Sequence, residues 1–137
     1  MKKLICFMLA ALLMFTGGQV VTAQRALTFP VVSADTLANT DTTSKVLQIT
    51  AGYSGIAIQP VVTRLSGTAA GKVYLFESLD GVNYGLATDS ITLSNQVTNT
   101  VIWKKAAPNP VFYRILATST GSVSQAVRIH YVLRKHD

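Results

Sequence analysis

Strict alternation of apolar and polar residues is the feature that most limits what this chain can fold into. In the segment 125–133 the apolar residues fall at every second position, as Val127, Ile129, Tyr131 and Leu133. Successive side chains of a β-strand point to opposite faces, so this pattern predicts a strand with one face more buried than the other. After residue 24 no stretch shows the apolar period of an amphipathic helix. The chain is therefore predicted to be all-β.

Six further segments have strand-like composition or alternation: 46–49, 56–65, 72–78, 91–93, 98–103 and 111–118. Turn residues separate them, among them Asp80-Gly81, where Gly81 is expected to take a positive φ. Pro60 predicts an edge position or a bulge for its strand. Short strands spaced by about ten residues predict one antiparallel β-sandwich or jelly-roll-like domain over 46–137. A polar segment, 24–45, is predicted to precede it.

The N-terminus has the order of parts of a secretory signal peptide. Lys2 and Lys3 precede the apolar run 4–15, and Val21-Thr22-Ala23 places small residues before a cleavage site. The run is shorter than the roughly 20 residues of a membrane span. Residues 1–23 are therefore predicted to be removed, with only transient membrane contact. The product, beginning at Gln24, is expected to be secreted, periplasmic or held at the cell surface.

Removal of residues 1–23 would change the composition of the chain. Cys6 and all three methionines lie in that segment, so the mature chain would contain no sulfur and would depend on core burial for stability. Loss of Lys2 and Lys3 lowers the formal net charge from +6 to +4. The remaining basic residues are scattered along the sequence, whereas a nucleic-acid surface needs a clustered stripe. No nucleic-acid partner is predicted.

The sequence offers little that could carry catalysis. A nucleophile needs a base and a group that orients it, but the candidate imidazoles are His130, in a strand, and His136, next to the C-terminus. Glu77 and Asp80 are close in sequence, yet one ends a strand and the other begins a turn. No metal-ligand spacing or phosphate-binding loop is present. We predict no catalytic residue, metal or cofactor; a small hydrolase using Glu77, Asp80 or His130 is the least favoured alternative.

Two features could form a ligand site. The turn 80–83 offers the oxygens of Asp80 and Asn83 to a calcium ion, or else simply closes a hairpin. Tyr84 and Trp103, the latter at a strand end, could stack against a sugar, or else pack in the core. Both alternatives remain open for each feature. The candidate ligand-binding residues are thus Asp80, Asn83, Tyr84 and Trp103.

Several stretches resemble small β-sandwich proteins encoded by tailed phages of Bacteroidota, including crAss-like phages. They are 71–84, which has the sequence Gly-Lys-Val-Tyr-Leu-Phe-Glu-Ser-Leu-Asp-Gly-Val-Asn-Tyr, together with 89–93, Trp103 and 111–115. The resemblance implies a non-enzymatic structural or surface protein of the virion. Its partners would be copies of itself or other virion proteins.

A looser resemblance links 78–84 and 112–115 to discoidin-type carbohydrate-binding jelly rolls. It implies the main alternative, a secreted module that binds cell-surface glycans. The triplets 35–37, 41–43 and 89–91 are similar to the O-glycosylation pattern of exported Bacteroidota proteins, in which an Asp precedes a Ser or Thr. This similarity makes Thr36, Thr42 and Ser90 candidate O-glycosylation sites.

Overall fold

A computed structural model describes residues 27–49, 53–106, 111–120 and 123–135, without the side chains of 27–34, Val123 and Lys135. All regular structure in these ranges is β, and it contains no helix long and apolar enough to span a membrane. The strands are β1 (Leu27–Leu37), β2 (Thr42–Gln48), β3 (Tyr53–Gly67), β4 (Gly71–Ser78), β5 (Asp89–Leu93), β6 (Thr98–Thr100), β7 (Trp103–Ala106), β8 (Phe112–Ser119) and β9 (Val123–Lys135).

The strands form two antiparallel sheets. Sheet A has the order β1-β9-β3-β6, with β7 also paired to β3, and sheet B has the order β2-β8-β4-β5. With β6 and β7 counted as one interrupted strand, each sheet has four strands and the connections cross between the sheets as in a jelly roll. The prediction of a single all-β antiparallel sandwich of jelly-roll type is confirmed.

Apolar side chains from the facing sides of the two sheets fill the core. Sheet A contributes Ile58, Val62 and Ile129, and sheet B contributes Val73, Leu75 and Ile115, all of them buried. The alternation that predicts β9 is confirmed on its inner face, where Val127, Ile129 and Leu133 are buried, whereas Tyr131 is only partly buried. The residues between them therefore form the outer face of sheet A.

Pro60 lies in an interior strand, so of the two predicted alternatives the edge position is wrong. The register shifts of β3 lie at 53–55 and 64–66, and none falls at Pro60. β3 pairs with β9 on one side and with β6 and β7 on the other. The register passes from Val61↔Thr100 to Ile58↔Trp103, which leaves Pro60 opposite the break between β6 and β7. Thr100 Oγ1 donates a hydrogen bond to the Pro60 carbonyl at 3.0 Å, so the backbone of Pro60 faces this break. A proline is tolerated there because no ladder partner needs its missing N–H.

Strands also occupy the region for which the sequence predicts a polar N-terminal segment. β1 lies entirely within 24–45, and the predicted boundary at residue 46 falls inside β2. The predicted strand 98–103 is divided into β6 and β7. The predicted signal peptide, its cleavage site and Gln24 lie outside the described residues and remain predictions.

Candidate functional site

Trp103 belongs to the core and not to an exposed platform. It pairs with the buried Ile58, and its side chain points between the sheets with a residue exposure of 6 %. A ring buried to this extent has no free face for a sugar, so the prediction of a stacking residue is wrong and the alternative, core packing, is confirmed. The neighbouring Lys104 points outward and is exposed.

The carboxylate of Asp80 accepts hydrogen bonds from Ser78, at the end of β4, and from its own loop, residues 79–88, which we call the tip loop. Asp80 Oδ1 accepts hydrogen bonds from the backbone N–H groups of Val82 (2.9 Å) and Asn83 (2.8 Å) and from Ser78 Oγ (2.8 Å). Asp80 Oδ2 accepts one from Asn83 Nδ2 at 2.7 Å. The Asn83 amide first, then these backbone N–H groups and Ser78, hold the pKa of Asp80 well below its usual range.

This arrangement favours a structural role for Asp80 and Asn83. A calcium ion binds oxygen atoms, whereas both carboxylate oxygens of Asp80 accept hydrogen bonds from the loop itself. The part of the chain that the structure describes holds no cluster of three or more His, Cys, Asp or Glu side chains suited to a metal ion. The geometry therefore supports the turn-forming alternative over the calcium alternative.

Gly81 has the positive φ that the sequence predicts, with a value of 75°. A side chain at this position would also meet the Phe112 ring, since a Cβ would lie 3.1 Å from it. The turn does not close a short hairpin, however, because β5 begins only at Asp89. The tip loop is instead a long connection, folded back on β8 and fixed by internal hydrogen bonds.

The ring of Tyr84 stacks against the guanidinium of Arg114 on β8. The Arg114 guanidinium lies 4.1 Å from the centre of the Tyr84 ring and 4.9 Å from that of Phe76. Such cation–π contacts are worth on the order of 1 kcal/mol each. The Tyr84 hydroxyl and Arg114 Nε are both buried without a hydrogen-bond partner among the described residues. The Tyr84 ring is thus part of the anchor that holds the tip loop against sheet B.

The tip loop also displays three aliphatic side chains that sequence reasoning missed. Leu79, Val82 and Leu86 are exposed by 74 %, 78 % and 92 %. Exposed large aliphatic side chains concentrated on one rigid loop are typical of an interaction surface. Their signal in the sequence is an apolar residue at every third or fourth position of a segment that otherwise has turn composition.

A second group of exposed aliphatic residues lies at the opposite end of the sandwich. Leu65 and Val97 are exposed by 57 % and 64 %. They flank the start of β4, where Gly71 pairs with Leu93, whereas the tip loop follows the end of β4. The Arg64 backbone N–H donates to the Val97 carbonyl at 2.9 Å, which holds this end in place. We call Leu65 and Val97 the base patch.

The groups considered for a hydrolase do not converge. Glu77 Oε1 accepts from Lys105 Nζ at 3.0 Å and from Thr88 Oγ1 at 3.0 Å, at one side of the sandwich. Asp80 is bonded within the tip loop. His130 pairs with Gln59 on the outer face of sheet A, and His136 lies outside the described residues. The geometry brings none of these groups to a common site.

The three candidate glycosylation residues are all at exposed strand positions. Thr36 lies on β1, Thr42 on β2 and Ser90 on β5. The acidic residues of two triplets are engaged in ion pairs, since Asp35 contacts Lys45 and Asp89 contacts Lys105. The hydroxyl-bearing residues are exposed to solvent, and their modification stays a prediction.

Comparison with known proteins shows the fold alone. No protein-family profile and no curated protein matches the chain. Among solved structures, a protein of Bacillus endospore appendages, described as a novel family of disulfide-linked pili, superposes with a TM-score of 0.50 and 12 % identity over 84 % of this chain and 92 % of its own. The Yersinia pseudotuberculosis-derived mitogen gives 0.49 and 10 % over 84 % and 89 %. A protein of infectious bursal disease virus, Gx strain, gives 0.37 and 13 % over 80 % and 34 %.

Proposed function

We propose that this chain is an exported, non-enzymatic structural module that assembles head to tail with copies of itself. The observation that carries the proposal is the placement of exposed aliphatic residues at both ends of the sandwich, on the tip loop and in the base patch. Contact between two different patches is heterologous, and when its rotation does not close it produces a filament. One end of each copy would bind the other end of the next.

The rigidity of the tip loop supports this role. Asp80 fixes the first half of the loop, and the Arg114–Tyr84 stack fixes the second half. A loop that is already ordered loses less conformational entropy when it binds. Its leucine and valine side chains can therefore be covered by a partner without refolding.

Assembly of this module would depend on noncovalent contacts. The Bacillus appendage protein is described as forming disulfide-linked pili, and its likeness to this chain extends to the fold alone. In the present chain Cys6 falls within the predicted signal peptide, so the mature chain would have no cysteine. Burial of the two apolar ends would have to replace covalent linkage.

Two end-blocking variants test the proposal. Leu86→Asp places a charge on the tip loop and Val97→Asp places one in the base patch, both at exposed positions where the fold can accept it. Ile102→Asp is the matched control, since Ile102 is an exposed aliphatic residue at the break between β6 and β7, opposite the middle of β3 and away from both ends. Molar mass is measured by light scattering or sedimentation as a function of protein concentration.

We expect the unmodified protein and Ile102→Asp to gain mass with concentration, and each end-blocked variant to stay monomeric. A mixture of Leu86→Asp and Val97→Asp should give one-to-one dimers, because each variant retains the end that the other lacks. Monomers in that mixture would contradict head-to-tail assembly, as would an unmodified protein that remains monomeric at every concentration. Loss of assembly in Ile102→Asp would place the interface elsewhere.

Export and glycosylation are tested together by the intact mass of the protein recovered from the cells that produce it. Export predicts the loss of residues 1–23, and cyclisation of Gln24 would remove one further ammonia. Additional mass on peptides containing Thr36, Thr42 or Ser90 would show that the triplets are used. A mass that retains residues 1–23 would contradict cleavage after Ala23.

The setting of the module is proposed to be either a phage virion or the cell surface. Neighbouring genes for capsid, portal and tail proteins would support the virion, and genes for glycan utilisation would support the cell surface. The residues considered for the discoidin-like alternative are engaged within the fold, since Trp103 is buried and Asp80 accepts a hydrogen bond from Asn83. Glycan binding would need a different surface.

A further inference from the structure

The outer face of sheet A collects basic residues from strands that are far apart in the sequence. Arg128 and Arg134 lie on β9 and Lys104 lies on β7, all exposed, and His130 lies between the two arginines. Lys104 pairs with Ala57 of β3, which in turn pairs with β9. From the spacing of residues and strands in a sheet, the arginines are about 20 Å apart along β9 and Lys104 is about 10 Å across from it.

The described part of this face carries no carboxylate to neutralise these charges. The described acidic residues lie between the sheets or in loops, as Asp35 with Lys45, Glu77 and Asp89 with Lys105, and Asp41 and Asp80 in connections. The ion pairs between the sheets thus use three carboxylates and leave an excess of positive charge on one outer surface. Basic residues that are scattered in the sequence are gathered on one face of the fold.

We propose that this face binds an acidic polysaccharide, one whose chain carries carboxylate or sulfate groups. A guanidinium presents paired donors that match the oxygens of such groups. Polar side chains lie beside the charges, since Gln59 pairs with His130 and Thr100 lies across β3 from Arg128, both at outward positions. Their amide and hydroxyl groups can hydrogen-bond the sugar hydroxyls, while Arg128, Arg134 and Lys104 pair with the anions.

The composition of the face disfavours other polyanions. Proteins that bind single-stranded nucleic acid commonly stack bases on aromatic rings, and the described outward strand positions of sheet A hold no Phe, Tyr or Trp. Insertion into a membrane would need exposed large apolar residues, and the one nearby is Ile102, at the break between β6 and β7. The choice of a polysaccharide rests on the proposed export, which would bring this face into contact with extracellular glycans.

The test compares a single and a double arginine variant with a control that removes one charge from the opposite sheet. Binding of the purified protein to heparin, to polygalacturonate and to neutral dextran is measured by calorimetry at several salt concentrations. Arg128→Gln and Arg128→Gln/Arg134→Gln remove charge from the outer face of sheet A. Lys72→Gln removes one charge from the outer face of sheet B, where Lys72 is exposed. Thermal unfolding checks that every variant is folded.

We expect binding to one or both acidic polysaccharides, weakening steeply with salt, and none to dextran. Each arginine substitution should weaken binding by about three- to tenfold, and Lys72→Gln by less than about twofold. Equal effects of Arg128→Gln and Lys72→Gln would overturn the proposal, as would the absence of binding to both polymers. Tighter binding to phosphatidylglycerol vesicles or to single-stranded DNA would assign the face to a membrane or a nucleic acid.

This outcome can be separated from that of the assembly proposal. Leu86→Asp blocks the tip loop and leaves the outer face of sheet A unchanged, so its affinity for polysaccharide per protein molecule should equal that of the unmodified monomer. If assembly fails and binding persists, the module is a monomeric acidic-glycan binder. If binding fails and assembly persists, the basic face has another role.

Discussion

Each open side of the sandwich is bridged by a lysine that pairs with the opposite sheet, with one carboxylate on one side and two on the other. On one side Lys45 of β2 reaches across to Asp35 of β1, with Nζ 2.9 Å from Oδ2. On the other side Lys105 of β7 contacts two carboxylates of sheet B, those of Glu77 at 3.0 Å and Asp89 at 2.6 Å. In each case a lysine points into the gap between the sheets and pairs with the opposite sheet.

The two sides differ in the number of carboxylates that pair with the lysine and in the core residue next to it. Lys105 holds together two acidic residues that would repel each other without it, and the buried Trp103 lies two residues away on the same face of β7. A threonine hydroxyl donates to one carboxylate on each side, from Thr43 to Asp35 at 2.7 Å and from Thr88 to Glu77 at 3.0 Å, so the sides differ in how many carboxylates share the lysine. The side formed by β5 and β7 should therefore depend more strongly on its lysine and on its core residue.

The largest effect is expected for Trp103→Ala. Removing a buried indole leaves a cavity beneath Lys105, and such truncations cost about 3–5 kcal/mol of unfolding free energy. Chemical denaturation measures the loss. Leu47→Ala, a core truncation beneath the Lys45 side, should cost about 2–4 kcal/mol. A Trp103→Ala variant with unchanged stability would reopen the case for Trp103 as a surface residue.

Lys105→Met should have the next largest effect. It leaves Glu77 and Asp89 near each other without a cation, and we expect a loss of about 1–2 kcal/mol, between the values for exposed and buried pairs. Lys104→Met is the matched control, since Lys104 points to solvent from the adjacent position. Its unfolding free energy should be within about 0.5 kcal/mol of the unmodified value. Equal losses in the two variants would mean that the ion pairs do not stabilise this side.

Some strands of the fold could be predicted from the sequence and others could not. β4, β8 and β9 match their predicted segments closely because apolar residues recur at their inward positions and the extra residues of the register shifts lie in β1 and β3. β1 escapes prediction because two register shifts, on either side of Val32, break its pairing and with it any simple alternation. Alternation of apolar and polar residues indicates a strand only where the strand pairs with its neighbour without register shifts.

Trp103 shows why the orientation of a short strand is harder to predict. Alternation in the sequence assigns Trp103 to the same face as Asn99. Because Asn99 is polar, the sequence does not indicate that this face is the one that points to the core. In the structure Asn99 is buried because its side chain bonds the Ser94 backbone, with Asn99 Oδ1 2.9 Å from the Ser94 nitrogen. The local turn satisfies the amide, and burial then becomes possible.

The contacts within the tip loop and the basic face could not be predicted because they join residues that are far apart in the sequence. Arg114 anchors the tip loop through Tyr84, which lies 30 positions earlier in the numbering of the chain. The basic face joins β7 and β9 through β3, a neighbour relation that only the sheet order defines. Residue types suggest the chemistry, while the topology decides which of them meet.

Lys45→Met should have a smaller effect than Lys105→Met. Asp35 keeps the Thr43 hydroxyl as a donor, and the methionine can cover the apolar surface that the lysine stem covers now. We expect a loss of about 0.5 kcal/mol, in the range of exposed ion pairs. Lys72→Met, in an exposed position outside both ion pairs, is the control. A loss as large as that of Lys105→Met would show that the two sides are equivalent.

The smallest effect, and the one that separates the two sides most cleanly, is in the pH dependence of stability. The Lys45 hydrogen bond first, and then that of Thr43, lower the pKa of Asp35 below 3.8. Its contribution is therefore present above about pH 4 and is lost as the pH falls through the lower folded-state value. Burial lowers the pKa of Lys105, but the hydrogen bonds to Asp89 and Glu77 outweigh it and raise the pKa above 10.5. That contribution is present below 10.5 and is lost as the pH rises through the higher folded-state value.

The two sides should thus weaken at opposite ends of the pH range. Denaturation curves for Asp35→Asn should lose part of the acid dependence and keep the part contributed by Asp80, whose pKa is also lowered. Curves for Lys105→Met should lose part of the alkaline dependence, the buried Tyr113, whose pKa burial raises, contributing as well. An acid limb that Asp35→Asn leaves unchanged, or an alkaline limb that Lys105→Met leaves unchanged, would show that these ion pairs do not set the pH dependence, because a group contributes only where its folded and unfolded pKa values differ.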